Sequence, residues 1–215
     1  MKKRSVQHVG ARKRIRVRRK RPSKTAARVP PNAVFLVGFM GAGKTSVGRA
    51  LGQRLNSVFE DLDDRIERRE GRTIAEIFRD SGEAEFRLAE RAALQQVLEE
   101  LSGGVARIVG LGGGTFAQEQ NHRAIQASGI RTVFLDAPLP ELWQRCQQSD
   151  PDTKRPLQTS ANKFRELHKN RLPFYKTASL QVDTEGKQVD AIAAEIVEKL
   201  HLKEIVMRSE QGESE

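Results

Sequence analysis

The 215-residue chain contains a single cysteine, Cys146. One cysteine excludes an internal disulfide framework and is typical of a reducing compartment, so we expect a cytoplasmic protein. Its place beside Trp143 on a predicted helix favours a small apolar filler over a catalytic thiol. Long apolar runs are also missing: the longest, Ala33 to Met40, is far shorter than the roughly 20 residues that span a bilayer. We therefore expect no membrane association.

Acidic residues are absent from the first 31 positions, which hold 13 Lys and Arg. The chain has a net charge of +10, but the part after this segment has 25 basic and 28 acidic residues. A segment with so many like charges repels itself and buries little apolar surface, so residues 1–31 are predicted to be a disordered extension. It either tethers the protein non-specifically to nucleic acid or another acidic surface, or is simply solvated. The lack of aromatic residues and of a binding fold favours the second interpretation.

A phosphate-binding loop follows the Pro30-Pro31 break. The apolar run Ala33 to Val37 is typical of a strand buried on both faces. It leads into Gly38 to Thr45, which matches G-x-x-x-x-G-K-[ST], and then into the helical pattern SVGRALGQRL. Glycines let backbone N–H groups converge on phosphates, and the helix N-terminus adds its positive end there.

The residue types in this loop indicate nucleotide chemistry. Lys44 is predicted to hold the β- and γ-phosphates, and the Thr45 hydroxyl is predicted to ligate Mg²⁺. ATP is then the co-substrate. The predicted cofactor contacts of the loop are Gly41, Ala42, Gly43, Lys44, Thr45 and Ser46.

Short apolar strands and longer amphipathic helices alternate through the rest of the chain. This alternation predicts an α/β fold with a doubly wound, mostly parallel sheet, in residues 32–203, followed by a polar tail in residues 204–215. The predicted strands after the first are Val58–Leu62, Ala106–Leu111, Thr132–Leu135 and Leu180–Val182, and the predicted helices are Thr73–Asp80, Phe86–Leu101, Asn121–Ala127, Leu139–Gln148 and Asp190–Leu200.

Candidate site residues follow the strands, where ligands bind in such sheets. Asp61 and Asp63 come after the second strand: one can reach Mg²⁺ and the other a substrate hydroxyl, although either can also cap the next helix. Arg87 can engage a carboxylate ligand bidentately or form a surface salt bridge with Glu83 or Glu90.

Three further features belong to the same picture. Gly112, Gly113 and Gly114 suggest close approach of the backbone to a ligand, or a tight turn. Ser149 to Asn162 is a polar loop long enough to act as a lid, with Lys154 and Arg155 in its middle. Arg171 precedes Pro173, which is predicted to end its helix.

Together these motifs resemble the shikimate kinases. The matching blocks, in order, are GFMGAGKTSVGR, DLDDRIE, GRTIAEIF, GEAEFR, GLGGGTF, RPL and NRLPFY, and they cover roughly Val34 to Leu200. The resemblance implies a P-loop, nucleoside-monophosphate-kinase-like fold with a five-stranded parallel sheet flanked by helices and a mobile lid. The implied reaction is ATP-dependent phosphorylation of the shikimate 3-hydroxyl in the pathway to aromatic amino acids. A monomer is also implied.

The resemblance assigns a role to each candidate. Asp63 is implied to hold the substrate hydroxyls as the base, and Asp61 to lie near Mg²⁺. Arg87 and Arg171 are implied to clamp the shikimate carboxylate, and the glycine triplet to line the ring. On the nucleotide side, Arg155 is the implied lid arginine that reaches the phosphates, Arg145 is implied to stack on adenine, and Lys187 lies where a basic adenine contact is expected.

Departures from the family are few. Gly110 replaces a serine or threonine that many members carry two residues before the triplet, which removes a hydroxyl near the magnesium waters. A kinase for another polyol acid, such as gluconate, is the nearest alternative, but it is expected to lack the two-arginine clamp. A non-catalytic binding protein is expected to have lost Lys44, Asp63 or the lid arginine, and all are present.

Overall fold

The computed structural model describes residues 30–148 and 160–203. Five strands and seven α-helices alternate along this part of the chain, with one 3₁₀ turn at Thr115–Ala117. In chain order the elements are β1 Val34–Val37, α1 Lys44–Leu55, β2 Val58–Asp61, α2 Leu62–Glu70, α3 Ile74–Ser102, β3 Arg107–Gly110, α4 Glu119–Ser128, β4 Arg131–Asp136, α5 Leu139–Gln148, α6 Ala161–Tyr175, β5 Leu180–Asp183 and α7 Val189–Lys199.

All five strands form one parallel sheet in the order β2-β3-β1-β4-β5. Strand β1 lies at the centre, and each of its four residues is fully buried. This burial explains the unbroken apolar run, since a central strand of a parallel sheet is covered on both faces. The predicted α/β fold with a five-stranded parallel sheet flanked by helices is confirmed.

The register brings the carboxyl ends of the strands to one edge. Leu36 and Asp61 both pair with Gly110, and Val37 pairs with Phe134. The P-loop, the aspartate pair and the glycine triplet each follow one of these ends directly. Sheet register therefore gathers segments that are up to about 75 residues apart in the chain.

The first helix of the long α3 ends in a break that the sequence predicted. Thr73 caps its start, with the Thr73 side chain accepting from the Glu76 N–H and the Glu76 carboxylate accepting from the Thr73 N–H. Gly82 interrupts it with φ 78° and ψ 179°, values that only glycine adopts readily. The chain therefore turns between the predicted helices, and the second one carries Arg87.

Three expectations about helices need correction. Helix α2 was not among the predicted helices, because its sequence LDDRIERRE shows only Leu62 and Ile66 as an apolar stripe. Pro173 does not end its helix: Lys176 donates to the Leu172 carbonyl across it, and α6 continues to the buried Tyr175. Residues 161–162, assigned to the polar loop, are instead the first turn of α6, whose N-cap is Ser160.

Helix α1 packs against β2 through glycines that surround the Phe59 ring. A Cβ atom on Gly48 would lie 2.2 Å from two atoms of that ring, and one on Gly110 would lie 3.3 Å from it. A Cβ on Gly52 would lie 2.7 Å from the Ser57 carbonyl oxygen. The absence of side chains at these positions is what lets α1 approach the sheet.

No helix in the described ranges is long and apolar enough to cross a membrane.

We predict that Gly48→Ala destabilises the protein although alanine favours helices by about 1 kcal/mol. The added methyl collides with the Phe59 ring, and overpacking of this kind costs about 1–3 kcal/mol. Urea unfolding followed by circular dichroism measures the change. Gln53→Ala, at an exposed position of the same helix, is the matched control and is expected to stay within about 0.5 kcal/mol of the wild type. A Gly48→Ala protein as stable as this control would contradict the packing argument.

Candidate active site

Two cavities meet at the carboxyl edge of the sheet. The larger, of about 630 Å³, is lined by the P-loop, Asp61, and residues of the β5–α7 region. The smaller, of about 290 Å³, is lined by the glycine triplet, both candidate clamp arginines, and apolar residues of α3. Met40 lines both cavities, so they adjoin at the P-loop. This arrangement suits a reaction between two bound molecules, one beside each face of the loop.

The P-loop has the backbone of a phosphate cradle. Gly41 and Gly43 have φ of 81° and 86°, in the left-handed region that favours glycine. Gly43 is the N-cap of α1 and offers no side-chain acceptor, and the first turn of the helix contains no acid. The first N–H groups of α1 therefore have no intrahelical acceptor and can receive an anion. Lys44 Nζ donates to the carbonyls of Gly38 and Phe39, at 3.0 and 3.1 Å, inside the same loop.

Of the two roles that the sequence left open for Asp61, the structure shows the helix cap, and the contact with Mg²⁺ stays a prediction. One carboxylate oxygen accepts from the Asp63 N–H at 3.0 Å and caps α2. The other lies 3.4 Å from Thr45 Oγ1, and both residues line the larger cavity. Hard oxygen ligands in this number fit Mg²⁺, which keeps most of its shell for waters and phosphates. No group of three or more His, Cys, Asp or Glu side chains that could hold a metal ion occurs in the described ranges, and the predicted magnesium ligands Thr45 and Asp61 lie side by side.

The first glycine of the triplet lies beside an acidic side chain, and the next two lie beside arginines. A Cβ atom on Gly112 would lie 2.7 Å from Asp63 Oδ1. A Cβ on Gly113 would lie 3.2 Å from Arg171 Nη1, and one on Gly114 would lie 3.0 Å from Arg87 Nη1. None of the three has a left-handed φ, so space rather than turn geometry requires glycine here. The triplet thus has the Asp63 carboxylate beside its first residue and the two arginines beside its second and third.

Arg171 is a buried cation. Only 8% of its surface is exposed, and its guanidinium lies 5.8 Å from the centre of the Phe39 ring. Burial lowers its pKa, and the nearby charge of Arg87 lowers it further. In residues 30–148 and 160–203, no carboxylate forms a salt bridge with it. Burying a charge without a counterion is costly, so this side chain is poised for an anionic ligand.

Arg87 combines the two alternatives that the sequence left open. It forms salt bridges with Glu83 at 2.9 Å and with Glu90 at 3.1 Å, and it also lines the smaller cavity beside Arg171. Glu90 is almost fully buried and additionally accepts from Thr115 Oγ1 at 2.7 Å. The two glutamates hold the guanidinium at the cavity wall, so a structural salt bridge here orients a ligand-facing group.

The nucleotide side of the larger cavity is framed by two basic residues. Arg145 donates to the Gly41 carbonyl and pairs with Glu141, and Lys187 pairs with Glu195 at 2.9 Å. Both basic residues line the cavity. Their predicted contacts with adenine remain predictions.

Cys146 is buried, as predicted for a filler, and burial raises the pKa of its thiol. It nevertheless lines the larger cavity, and a Cβ on Gly41 would lie 3.1 Å from its sulfur. This place in the cavity was not predicted, because it depends on how α5 packs against the P-loop.

Other lining residues were also missed by sequence reasoning. The apolar wall of the smaller cavity comes from the first half of α3 and from the start of its second half, and amphipathic spacing alone marks such residues as ordinary core. The wall residues are Ile74, Phe78 and Phe86.

The predicted lid arginine, Arg155, and most of the predicted lid lie outside the described residues. A Cβ atom on Gly110 would lie 3.8 Å from Asp61 Oδ2. A serine or threonine here would thus approach the metal-side carboxylate, while the space beside it is taken by the Phe59 ring.

Comparisons with known proteins agree with this geometry. Residues 40–201 match the protein family described as shikimate kinase. A shikimate kinase from Cereibacter sphaeroides is 38% identical over 94% of this chain and 99% of its own, and one from Persephonella marina is 36% identical over 78% and 98%. The structure of an Acinetobacter baumannii shikimate kinase in complex with shikimate superposes with a TM-score of 0.71, at 33% identity over 79% of this chain and 93% of that one. The chain therefore belongs to the shikimate kinase family.

Proposed function

We propose that this protein transfers the γ-phosphoryl group of ATP to the 3-hydroxyl of shikimate, giving shikimate 3-phosphate and ADP. The observation that carries the proposal is the buried Arg171, which forms no salt bridge with a carboxylate of the described residues and lines a cavity that adjoins the P-loop. Asp63 lies beside Gly112, which lines the same cavity. Such a cavity accepts a small molecule with a carboxylate at one end and hydroxyls at the other. Membership of the shikimate kinase family and the relative named in complex with shikimate support this choice of hydroxy acid.

On the nucleotide side, the phosphates lie against the loop from Gly41 to Ser46, with Lys44 moving from its loop carbonyls to the β- and γ-oxygens. Thr45 and Asp61 would hold Mg²⁺, which neutralises charge on the transferring phosphoryl group. Arg145 and Lys187 contact the base. Arg155 completes the set as the cation that closes over the phosphates, as its place in the RPL block suggests.

On the acceptor side, Arg87 and Arg171 bind the carboxylate, and Asp63 accepts the proton of the attacking hydroxyl. The new bond joins the hydroxyl oxygen to the γ-phosphorus as the bond from that phosphorus to the ADP oxygen breaks. Asp63 lies in the first turn of α2, beside Gly112 of the triplet. Orientation of the hydroxyl by this carboxylate supplies general-base assistance, which contributes typically 10²- to 10⁴-fold.

The boundaries and setting follow from the same reasoning. We assign the kinase domain to residues 32–203, between the basic extension and the polar tail, and we place a monomeric enzyme in the cytoplasm. The extension is assigned no nucleic-acid partner beyond non-specific contact. Size-exclusion chromatography with light scattering tests the monomer, and a dimeric mass would contradict it.

A coupled ADP-release assay with Mg²⁺-ATP tests the reaction. ADP release is measured with shikimate, with gluconate, and with neither acceptor. Release that depends on shikimate alone is expected, because the chain carries both clamp arginines, which a kinase for gluconate is expected to lack. Release with gluconate instead would assign the site to the alternative polyol acid. Equal background rates of ADP release in all three assays, from a protein that still binds ATP, would contradict the assignment of the acceptor.

We predict that Arg171→Ala weakens shikimate binding far more than ATP binding. Truncating a buried charged group that pairs with a ligand costs about 2–4 kcal/mol, roughly 30- to 1000-fold in affinity. Steady-state KM values for both substrates and calorimetric titrations measure the effect. Arg165→Ala, which removes an exposed arginine from the same helix, is the control and is expected to change neither. Equal losses for shikimate and ATP would contradict the assignment.

We also predict that Gly112→Ala lowers kcat by displacing Asp63, whose Oδ1 the new methyl would approach to 2.7 Å. Small displacements of a catalytic group can cost about 10²-fold in rate. Because both changes act on one carboxylate, the double variant with Asp63→Asn is expected to be no slower than Asp63→Asn alone. Rate losses that multiply in the double variant would show that Gly112 acts elsewhere.

A further inference from the structure

Tyr175 is the only tyrosine of the chain and the last residue of α6. It is fully buried, and its ring stacks on Phe134 of the neighbouring strand β4, with ring centres 5.3 Å apart. Its hydroxyl donates a hydrogen bond to the Gly113 carbonyl, in the middle of the glycine triplet. The ring packs in the core without help from the hydroxyl, and the hydroxyl makes a separate polar contact.

Tyr175 also contacts the buried cation. Arg171 precedes it by four residues, which places both side chains on the same face of α6. Burial lowers the pKa of Arg171, and the Tyr175 side chain raises it through its charge and a hydrogen bond. A Cβ on Gly113 would lie 3.2 Å from Arg171 Nη1 and 3.6 Å from the Tyr175 hydroxyl, so the three groups surround one point. The phenol thus donates to the triplet and lies next to the cation.

The chain of contacts continues to the P-loop. The same Cβ on Gly113 would lie 3.8 Å from the Gly38 carbonyl oxygen, and that oxygen accepts from Lys44 Nζ at 3.0 Å. The triplet is therefore packed between the nucleotide loop and α6. A shift in its middle peptide would disturb the acceptor cavity first, because Arg171 and Tyr175 are its nearer neighbours.

We propose that Tyr175 is a positioning residue for the acceptor: its hydroxyl fixes the orientation of the Arg171 guanidinium and of the Gly113 peptide. The inference rests on the proposed function and adds a residue to it. A guanidinium without a carboxylate partner in the described ranges needs a neutral acceptor to hold its orientation before the ligand arrives. The phenol provides this acceptor without neutralising the charge that the ligand requires, which a carboxylate at the same place would do.

The test is Tyr175→Phe, which keeps the ring and removes only the hydroxyl. The KM for shikimate is expected to rise roughly 5- to 30-fold, as for loss of a buried hydrogen bond, with the KM for ATP within about 2-fold of the wild type. Thr132→Val is the matched control. It removes another buried hydroxyl, on β4, which accepts from the Ser179 N–H at 2.9 Å and touches neither cavity.

Both variants lose a buried hydrogen bond and are expected to unfold at similarly lower urea concentrations. Only Tyr175→Phe is expected to change the ratio of the two KM values. If both variants changed that ratio equally, or if Tyr175→Phe left it unchanged, the positioning role would be overturned and Tyr175 would be an ordinary core residue.

A double-variant cycle gives a second test. Tyr175→Phe and Arg171→Lys are made singly and together, and shikimate affinity is measured by calorimetry. Since the hydroxyl acts through the guanidinium, the combined loss is expected to be clearly smaller than the product of the single losses. Independent, multiplying losses would overturn the inference.

A third readout needs no variant to be active. Tyrosine labelled with ¹³C at Cζ gives one NMR signal in this chain, because Tyr175 is the only tyrosine. Shikimate is expected to shift that signal, and ADP is expected to leave it in place. A signal that ignores shikimate would overturn the inference. If the wild-type protein released no ADP with shikimate, the proposed function would be contradicted. If the wild type is active with shikimate, the outcomes above test only the role of Tyr175.

Discussion

The parallel register of the central strand is the constraint on which the site depends. Strand β1 pairs with β3 on one side and β4 on the other, and the pairing of Leu36 with Gly110 fixes where the P-loop begins relative to the glycine triplet. A slip of one residue would reverse the faces of every side chain in the strand. The two cavities share a wall because these loops leave the sheet at the same level. The chemistry of phosphoryl transfer requires just this proximity, since it depends almost wholly on positioning and electrostatics.

The buried charge of Arg171 shows a conflict between stability and function. A guanidinium with 8% exposure gains little from water, and Arg87 beside it adds repulsion. Glu83 and Glu90 form salt bridges with Arg87, whereas Arg171 forms none with a carboxylate of the described residues. The phenol of Tyr175, the charge of Glu90 and the face of Phe39 offset part of its burial. The folded protein thus tolerates an unfavourable group that a ligand carboxylate would stabilise. Binding and folding are linked in this way, because a ligand that binds only the folded state increases the free energy of unfolding.

The fold and the nucleotide half of the site could be predicted from sequence because their signals are local. Strand β1, the loop from Gly38 to Thr45 and the helix after it are contiguous, and each has a pattern that physics explains. The acceptor half depends on tertiary contacts. Spacing cannot decide whether Arg87 forms a surface salt bridge or lines the site, since in the structure it pairs with Glu83 and also lines the smaller cavity. Helix α2 was missed because two apolar residues among seven charged ones leave almost no periodic signal, and α6 outlasted Pro173 because the buried Tyr175 anchors the last turn.

In the proposed function, specificity depends on the order of groups along the glycine triplet rather than on any one residue. Asp63, Arg171 and Arg87 approach Gly112, Gly113 and Gly114 in turn, so the smaller cavity is polarised along its length. A ligand with a carboxylate at one end and hydroxyls at the other can satisfy both ends, whereas the reversed ligand would bring like charges together. Because like-charge contact costs more than a lost hydrogen bond, polarity rejects wrong orientations more strongly than shape does. In the proposed reaction this order would direct the acceptor hydroxyl toward Asp63 and the adjoining P-loop.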